Sequence, residues 1–196
     1  MTVVTAHDGS DKNPPPSIAG ERGGKNISKQ EEELVKRYVE MLGDTPPRLE
    51  VDFAVPNSYH SSSITLDSDT MAVLDAYCRR ENISLFSLAL GVMHHALRAY
   101  SHESFAIGTA YDSRPSQFHD MFVNTVLIPF AKGVEGGKET LKELNDRWKN
   151  DILPLATTPY DQLSAQGYGC NLCLVFNVGG NSGAAPTAKS DLTVEW

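Results

Sequence analysis

The sequence predicts an α/β fold, because segments with helical periodicity alternate with short apolar strands along most of the chain. The 196 residues allow one ordinary domain or two small ones, and 40% hydrophobic with 21% charged residues is typical of a globular protein. No apolar run approaches the ~18–20 residues that a membrane span requires. A formal charge of −8 with only 17 Lys and Arg offers no basic patch for phosphates. We therefore expect neither a membrane nor a nucleic acid as partner.

Residues 1–27 differ in composition from the rest of the chain. They contain three prolines at 14–16 and a glycine pair at 23–24 with almost no apolar periodicity, which predicts a flexible leader before a folded body at 28–196. The start lacks the basic and apolar regions of a secretory signal, so a cytoplasmic location is expected. Three cysteines are too few for a disulfide scaffold and indicate free thiols in a reducing compartment.

The folded body is predicted to begin with a helix over residues 31–42, opened by a capping-box pattern and ended by Gly43. Prolines then hold residues 43–60 as an extended connector, because proline disfavours helix at its own position and at the one before it. Alternation of polar and apolar residues predicts a short strand at 63–66. The Asp67 carboxylate is placed to cap the helix that follows.

Two helices are predicted in the middle of the chain. The first runs from residue 67 to about residue 80, and its inward face consists of Met71, Leu74 and Cys78, while Asp75 points to solvent. The second covers 84–100 and is apolar around most of its circumference, so we expect it to be buried on most sides. One of its faces is marked by Leu85, Leu88, Val92 and Ala96.

The last part of the chain is predicted to contain most of the strands. Runs rich in Val, Leu, Ile and Phe indicate core strands at 105–110, 122–130 and 172–178, the first two joined by a turn at 112–115. Between the second and third, an amphipathic helix ended by Pro154 carries apolar residues at spacings of three and four, and a short helix follows Pro159. Residues 179–190 are predicted to form a loop, and residues 191–196 are predicted to begin another strand.

Three motifs are candidates for chemistry. His94 and His95 suggest acid/base work or metal binding, but helical neighbours point about 100° apart and no third ligand has zinc spacing, so a packed or surface pair is favoured. Cys170 and Cys173 form a C-x-x-C that would suit a redox dithiol or half a zinc site; because it leads into a strand, buried structural thiols are favoured. Arg114 lies in a turn that suits a phosphate or, as we favour, an ordinary turn.

Three stretches together resemble the second half of condensation domains of nonribosomal peptide synthetases. They are FAIGTAYDSR at 105–114, MFVNT at 121–125 and NLCLVFN at 171–177. In that family an IGTPxxxR strand and turn precedes an FFVNT-like strand, a proline-aromatic-acidic helix start, here at 159–161, and an FQVMFN-like strand. The resemblance covers roughly residues 30–196. It implies a chloramphenicol-acetyltransferase-like two-layer sandwich, with a mixed sheet packed by helices, as a single lobe.

The same resemblance assigns roles to particular positions. Those given a structural or tunnel-wall role are Arg114, Phe122, Asn124, Thr125, Pro159 and Asn177. Family members form amide or ester bonds with an HHxxxDG motif in their first half. Here the histidine pair on the 84–100 helix is followed by Ala99 and Tyr100 at the Asp and Gly positions. We therefore expect no catalytic residue, no metal and no cofactor in this chain, and no catalysis by the isolated chain.

The resemblance leaves two hypotheses for function. In the first, the chain is a partial condensation domain that acts as a non-catalytic structural or docking module in peptide natural-product biosynthesis. Its partners would be other synthetase domains or carrier proteins, with a homo-oligomer possible. In the second, it is the acceptor-side half of an enzyme that joins acyl groups carried on phosphopantetheine, once a first lobe completes it.

Overall fold

The computed structural model describes residues 2–5, 29–43, 49, 60–100, 103–112, 123–131, 139–176 and 192–195. The helices in these ranges are α1 (Lys29–Leu42), α2 (Ser68–Glu81), α3 (Leu85–Arg98), α4 (Leu141–Arg147) and α5 (Tyr160–Ser164). The strands are β1 (Thr2–Thr5), β2 (His60–Ser63), β3 (Phe105–Asp112), β4 (Val123–Phe130), β5 (Leu172–Val175) and β6 (Leu192–Glu195). Within the same ranges, no helix has the length and apolar character needed to cross a bilayer.

The six strands form one mixed sheet in the order β2-β1-β6-β5-β3-β4. Strand β5 runs parallel to β3 and β6, whereas β1 is antiparallel to β2 and β6, and β3 is antiparallel to β4. The main core joins side chains of α1, α3, α4 and α5 to those of β3, β4 and β5. The predicted α/β class, with a mixed sheet packed by helices, is confirmed.

Local sequence signals predicted the positions of the first three helices. The Asp67 carboxylate accepts the Thr70 amide at 2.7 Å and caps α2, and Ser84 Oγ accepts the Ser87 amide at 3.0 Å at the start of α3. Asn82, between these helices, has φ 54°, a left-handed conformation that asparagine tolerates and that ends α2. The predicted α1 is confirmed, with Tyr38 fully buried.

The predicted helix with apolar residues at 141, 144, 148 and 152 changes character along its length. It begins as α4 with a capping box between Thr140 and Glu143, continues as one π-helical turn from Trp148 to Ile152, and ends in a 3-10 turn, Leu153–Leu155. The apolar spacing still holds, since Trp148 and Ile152 are buried.

Two expectations near the sheet edge differ from the structure. The strand expected at 63–66 is instead β2, His60–Ser63, because its bounds are set by antiparallel pairing with β1, in which Thr5 faces His60 and Thr2 faces Ser63. Residues 2–5 therefore form a strand within the segment expected to be a flexible leader. The rest of that segment, most of the 43–60 connector, the turn at 113–115 and the 179–190 loop lie outside the described residues.

The burial of α3 follows the prediction on one side and departs from it on another. Most of its apolar residues are buried, but Val92 is 46% exposed and Ala96 is also exposed. Only the first half of the face predicted at 85, 88, 92 and 96 therefore packs in a core, where Leu88 is buried with Cys78 and Ile83 and Leu85 packs against them. The helix packs closely on α4 instead, since a Cβ at Gly91 would lie 2.2 Å from Cδ2 of Leu141. This contact turns the 92 and 96 positions towards solvent.

Among the described strands, β4 lies at an edge of the sheet, and side chains from helices cover its outward backbone groups. The Tyr38 hydroxyl donates to the Leu127 carbonyl at 2.9 Å and accepts from the Leu127 amide at 2.8 Å. Arg147 donates from Nη1 to the Pro129 carbonyl at 2.9 Å, while Glu139 holds the other side of its guanidinium. These side-chain hydrogen bonds occupy outward backbone groups of Leu127 and Pro129, so those groups are not free to pair with another strand.

Candidate functional site

Half of the site residues predicted from the resemblance lie in the described part of the chain. Asn124 and Thr125 are on β4, and Pro159 directly precedes α5. The remaining three predicted positions, Arg114, Phe122 and Asn177, lie outside the described residues.

The Asn124 side chain joins the start of β4 to the segment that leads into α5. Its Nδ2 donates to the carbonyls of Ala156, at 2.8 Å, and Thr158, at 2.6 Å. Its Oδ1 accepts the Tyr160 amide at 3.1 Å. One half-buried amide thus makes three hydrogen bonds to backbone that lies 32 to 36 residues further along the chain.

Pro159 occupies the N-cap position of α5 and has no side chain that can accept a hydrogen bond there. Asn124 Oδ1 provides the acceptor from β4, because it receives the Tyr160 amide at the first helical position. The neighbouring Thr158 hydroxyl is buried and has no hydrogen-bond partner within the described part of the chain. The arrangement fixes a turn and a helix start, which is a positioning role for Asn124.

Thr125 lies on β4 opposite Ala110, beside the point where Cys170 touches the sheet. A Cβ at Gly108 would lie 2.4 Å from Cys170 Sγ and 3.5 Å from Cγ2 of Thr125, so only glycine leaves room for this thiol. Cys173, on β5, faces Gly108 in the parallel register. The C-x-x-C pair is thus packed against the middle of β3.

The chemistry of these two cysteines agrees with structural thiols. Both are free and half-buried. Burial raises the pKa of Cys170 to about 12 and that of Cys173 to about 11, so neither is a thiolate at neutral pH. Among the described residues, no group of three or more His, Cys, Asp or Glu side chains could hold a metal ion.

The Gly108 contact gives a first prediction. Replacing Gly108 by alanine is expected to lower the free energy of unfolding by about 1–3 kcal/mol, since the new methyl group overlaps the Cys170 sulfur. The double variant G108A/C170A should recover part of that loss, because the second change removes the overlapping atom. Urea unfolding of both single variants and the double variant measures the coupling; strictly additive losses would contradict the close contact.

The two histidines of the pair lie in different environments. The His94 ring stacks on Phe130, with centroids 4.1 Å apart, and Nε2 accepts a hydrogen bond from Arg98 Nε at 3.1 Å. Burial and the Arg98 charge lower the pKa of His94 to about 4, so the ring is neutral at pH 7. His95 is exposed. This agrees with the favoured interpretation of a packed or surface pair. Because His94 Nε2 already accepts the hydrogen bond from Arg98, it is not available to accept a proton from a substrate.

His94 gives a second prediction, a loss of stability in acid. The unfolded histidine titrates near 6.5 and the folded one near 4, so protons bind the unfolded state first and stability falls as the pH drops from about 6.5 to 4. Solvent screens part of this difference because the ring is only half-buried, and we expect a loss of about 1–2 kcal/mol.

The acid loss is measured by urea unfolding across this pH range for wild type, His94→Gln and His95→Gln. The slope between pH 6.5 and 4 should flatten in H94Q, whereas H95Q, the matched exposed control, should follow the wild type. Equal slopes in wild type and H94Q would refute the assignment.

Two further polar residues, Asn171 and Asn145, have structural roles that were not predicted from the sequence. Asn171 Oδ1 accepts the Leu49 amide at 3.0 Å and its Nδ2 donates to the Leu49 carbonyl at 3.1 Å, which ties residue 49 to the start of β5. Asn145 Oδ1, at the interface of α4 and α3, accepts from the Ser84 amide and from the Ser87 hydroxyl. For Asn171 the sequence signal is an asparagine inside an apolar stretch, where an amide is tolerated only if it is hydrogen-bonded. Asn145 is followed by Asp146 and Arg147 and carries no such signal.

Comparison with known proteins supports the fold. No protein-family model and no curated protein matches the sequence. A solved structure, a monoclinic crystal form of the EpoB nonribosomal peptide synthetase cyclization-docking bidomain from Sorangium cellulosum, is similar with a TM-score of 0.54 and 16% identity. The match covers 81% of this chain and 36% of that chain, so this chain spans about a third of that protein. At this identity the similarity establishes the shared α/β fold.

Proposed function

We propose that this chain is one lobe of a condensation-type domain of a nonribosomal peptide synthetase, and that it acts as a non-catalytic structural or docking module. One observation carries the proposal: the stretches that resemble the family are neighbours in space. Ala110 in the first stretch pairs with Thr125 in the second, and Gly108 in the first pairs with Cys173 in the third. Asn124 in the second holds the start of the proline-aromatic-acidic helix through the Tyr160 amide. The similarity to part of a synthetase bidomain supports the same proposal.

The described family-like residues support a scaffold role because their polar groups are engaged with the protein's own backbone. Thr109 Oγ1 donates to the Leu174 carbonyl at 2.9 Å across the parallel pair of strands. Asn124 and Asn171 make their hydrogen bonds to backbone of other segments, as described above. Such groups hold elements together, whereas a catalytic group needs an unengaged donor or acceptor within reach of a substrate.

The histidine pair supports the non-catalytic part of the proposal. The Arg98 guanidinium donates to His94, to the Glu103 carbonyl and to the Ala131 carbonyl, so the imidazole is held in a network at the end of α3. A general base near pH 7 needs a pKa close to the working pH, and that of His94 is lowered to about 4.

The experiment is a condensation assay with purified components. The chain is mixed with donor and acceptor carrier proteins loaded with aminoacyl groups on phosphopantetheine, and the carrier-bound product is measured by mass spectrometry. We expect no product above that formed by the loaded carriers alone. Product from the isolated chain would overturn the non-catalytic proposal.

A second arm adds the separately purified first lobe of a condensation domain, with its HHxxxDG motif intact or with the second histidine replaced. Product that requires both the added lobe and its histidine would favour the second hypothesis, in which this chain is the acceptor-side half of the enzyme. Binding of synthetase domains without product, measured by calorimetry in the same mixtures, supports the docking role.

A further inference from the structure

Helix α2 is packed far less tightly than the two other helices of the same length. Each of α1, α2 and α3 has 14 residues, but α2 buries one of them, Cys78, whereas α1 buries three and α3 six. The outward side of α2 carries Val73, which is 68% exposed, together with the exposed Ala72 and Ala76. Val73 with these two alanines forms a small apolar surface at the centre of α2.

The charges on the same outward stripe are arranged by sign along the helix. Asp69, Val73, Ala76 and Arg80 follow each other at spacings of four, three and four, so they lie in one row along α2. The row is acidic at the start, apolar in the middle and basic at the end. Asp69 makes no ion pair with any described residue. Arg80 contacts the half-buried Tyr77 ring, and its Nε forms an exposed ion pair of low energy with Glu81. The terminal nitrogens of Arg80 take no part in that ion pair.

We propose that α2 pairs with α2 of a second copy of this chain, antiparallel and about a two-fold axis midway along this row. In that register Asp69 faces Arg80 of the second copy, and Val73 faces Ala76 of the second copy, so every contact occurs twice. The alanines let the two helix axes approach, and the valines fill the centre. A row with one sign at each end is self-complementary only when the helices are antiparallel, which is why the occupant is a second copy and the orientation is fixed.

The pairing is expected to be weak. One helix pair buries less than the ~1,200–2,000 Å² of a standard stable interface, so a Kd of roughly 0.1 mM is the appropriate range. Because the flanking ion pairs are exposed, added salt should weaken the dimer.

Charge-swap variants test the pairing by sedimentation equilibrium from about 10 µM to about 1 mM protein, in about 0.05 M and about 0.5 M salt. The single variants Asp69→Arg and Arg80→Asp each place like charges opposite one another twice and should weaken self-association about tenfold or more. An equimolar mixture of D69R and R80D restores opposite charges at both positions, so a heterodimer should form with wild-type affinity. Glu33→Arg, an equal charge change on the exposed face of α1, is the matched control and should leave the dimer unchanged.

The mixing experiment distinguishes loss of pairing from loss of folding. Both α2 variants place charges that oppose the helix dipole, so α2 could lose stability, but a dimer lost through unfolding would not be recovered by mixing. Recovery in the mixture supports the antiparallel register. A wild-type chain that stays monomeric to about 1 mM, or a dimer that D69R and R80D do not weaken, would overturn it.

Discussion

Replacing Tyr38 by phenylalanine is expected to lower the free energy of unfolding by about 2–4 kcal/mol, although it removes a single oxygen atom. The Tyr38 hydroxyl both donates to and accepts from the backbone of Leu127, and both residues are almost fully buried. Phenylalanine keeps the ring in the core but leaves a buried amide and a buried carbonyl without partners. Burial also raises the pKa of Tyr38 above its usual value, so the hydroxyl remains a donor throughout the accessible pH range.

Urea unfolding of Tyr38→Phe against wild type measures this loss, and the m-value should stay the same because the fold is unchanged. Tyr77→Phe is the matched control, since Tyr77 lies half-buried on α2 and its hydroxyl makes no hydrogen bond to a described residue; its effect should stay within about 0.5 kcal/mol. Hydrogen exchange gives a second readout, because the Leu127 amide should lose protection in Y38F. A loss below about 0.5 kcal/mol with full Leu127 protection would mean that the hydroxyl does not seal the edge of β4.

Tyr38 also marks the limit of what the sequence predicts about the fold. Helical spacing within residues 31–42 is enough to place the ring on the core side of α1. Its partner Leu127 lies 89 residues away, and no local pattern indicates which backbone group a buried hydroxyl will meet. The same holds for the pairing of Asn171 with Leu49, which are 122 residues apart. Periodicity and caps are local and were predicted; pairing across the sheet is not local.

The bounds of strand β2 were predicted wrongly for the same reason. Its residues His60–Ser63 are polar and show no alternation, so nothing within the segment sets its ends. The ends are set by β1, a strand more than 50 residues earlier in a stretch whose composition indicates a leader. The exposed valine of α3 is a related case: Val92 has the right spacing for a core face, but close packing of Gly91 on Leu141 decides which side of the helix meets α4.

At the candidate site, the resemblance predicts roles for particular residues but not what those residues contact. It placed Asn124 and Pro159 in two separate motifs, and the structure joins them through the Tyr160 amide. A signal for this was present in the sequence: an asparagine in a strand of apolar residues is unfavourable unless its amide is satisfied, and a helix that begins after proline needs an acceptor from elsewhere. Together these two facts predict that an amide reaches a helix start, although they do not say which one.

Replacing Asn124 by aspartate tests that role and is expected to cost about 3 kcal/mol or more. The change keeps the shape of the side chain and the acceptor for the Tyr160 amide, but it replaces the donor nitrogen that lies 2.8 Å from the Ala156 carbonyl and 2.6 Å from the Thr158 carbonyl. A carboxylate oxygen there faces two carbonyl oxygens at hydrogen-bond distance. Asn150→Asp, the same change at an exposed position in the π-helical turn, is the matched control and should stay within about 0.5 kcal/mol.

The pH dependence separates this repulsion from a general loss of packing. In the folded N124D variant the two facing carbonyls favour the protonated form of the introduced carboxyl group, so its pKa should rise above the unfolded value of about 3.9. The destabilisation relative to wild type should then be complete above the folded pKa and shrink as the pH falls towards about 4, where the protonated acid donates one hydrogen bond again. Urea unfolding of N124D, N150D and wild type between pH 7 and pH 4 measures this difference. A gap that stays constant with pH would mean that the Asn124 amide does not donate to these carbonyls.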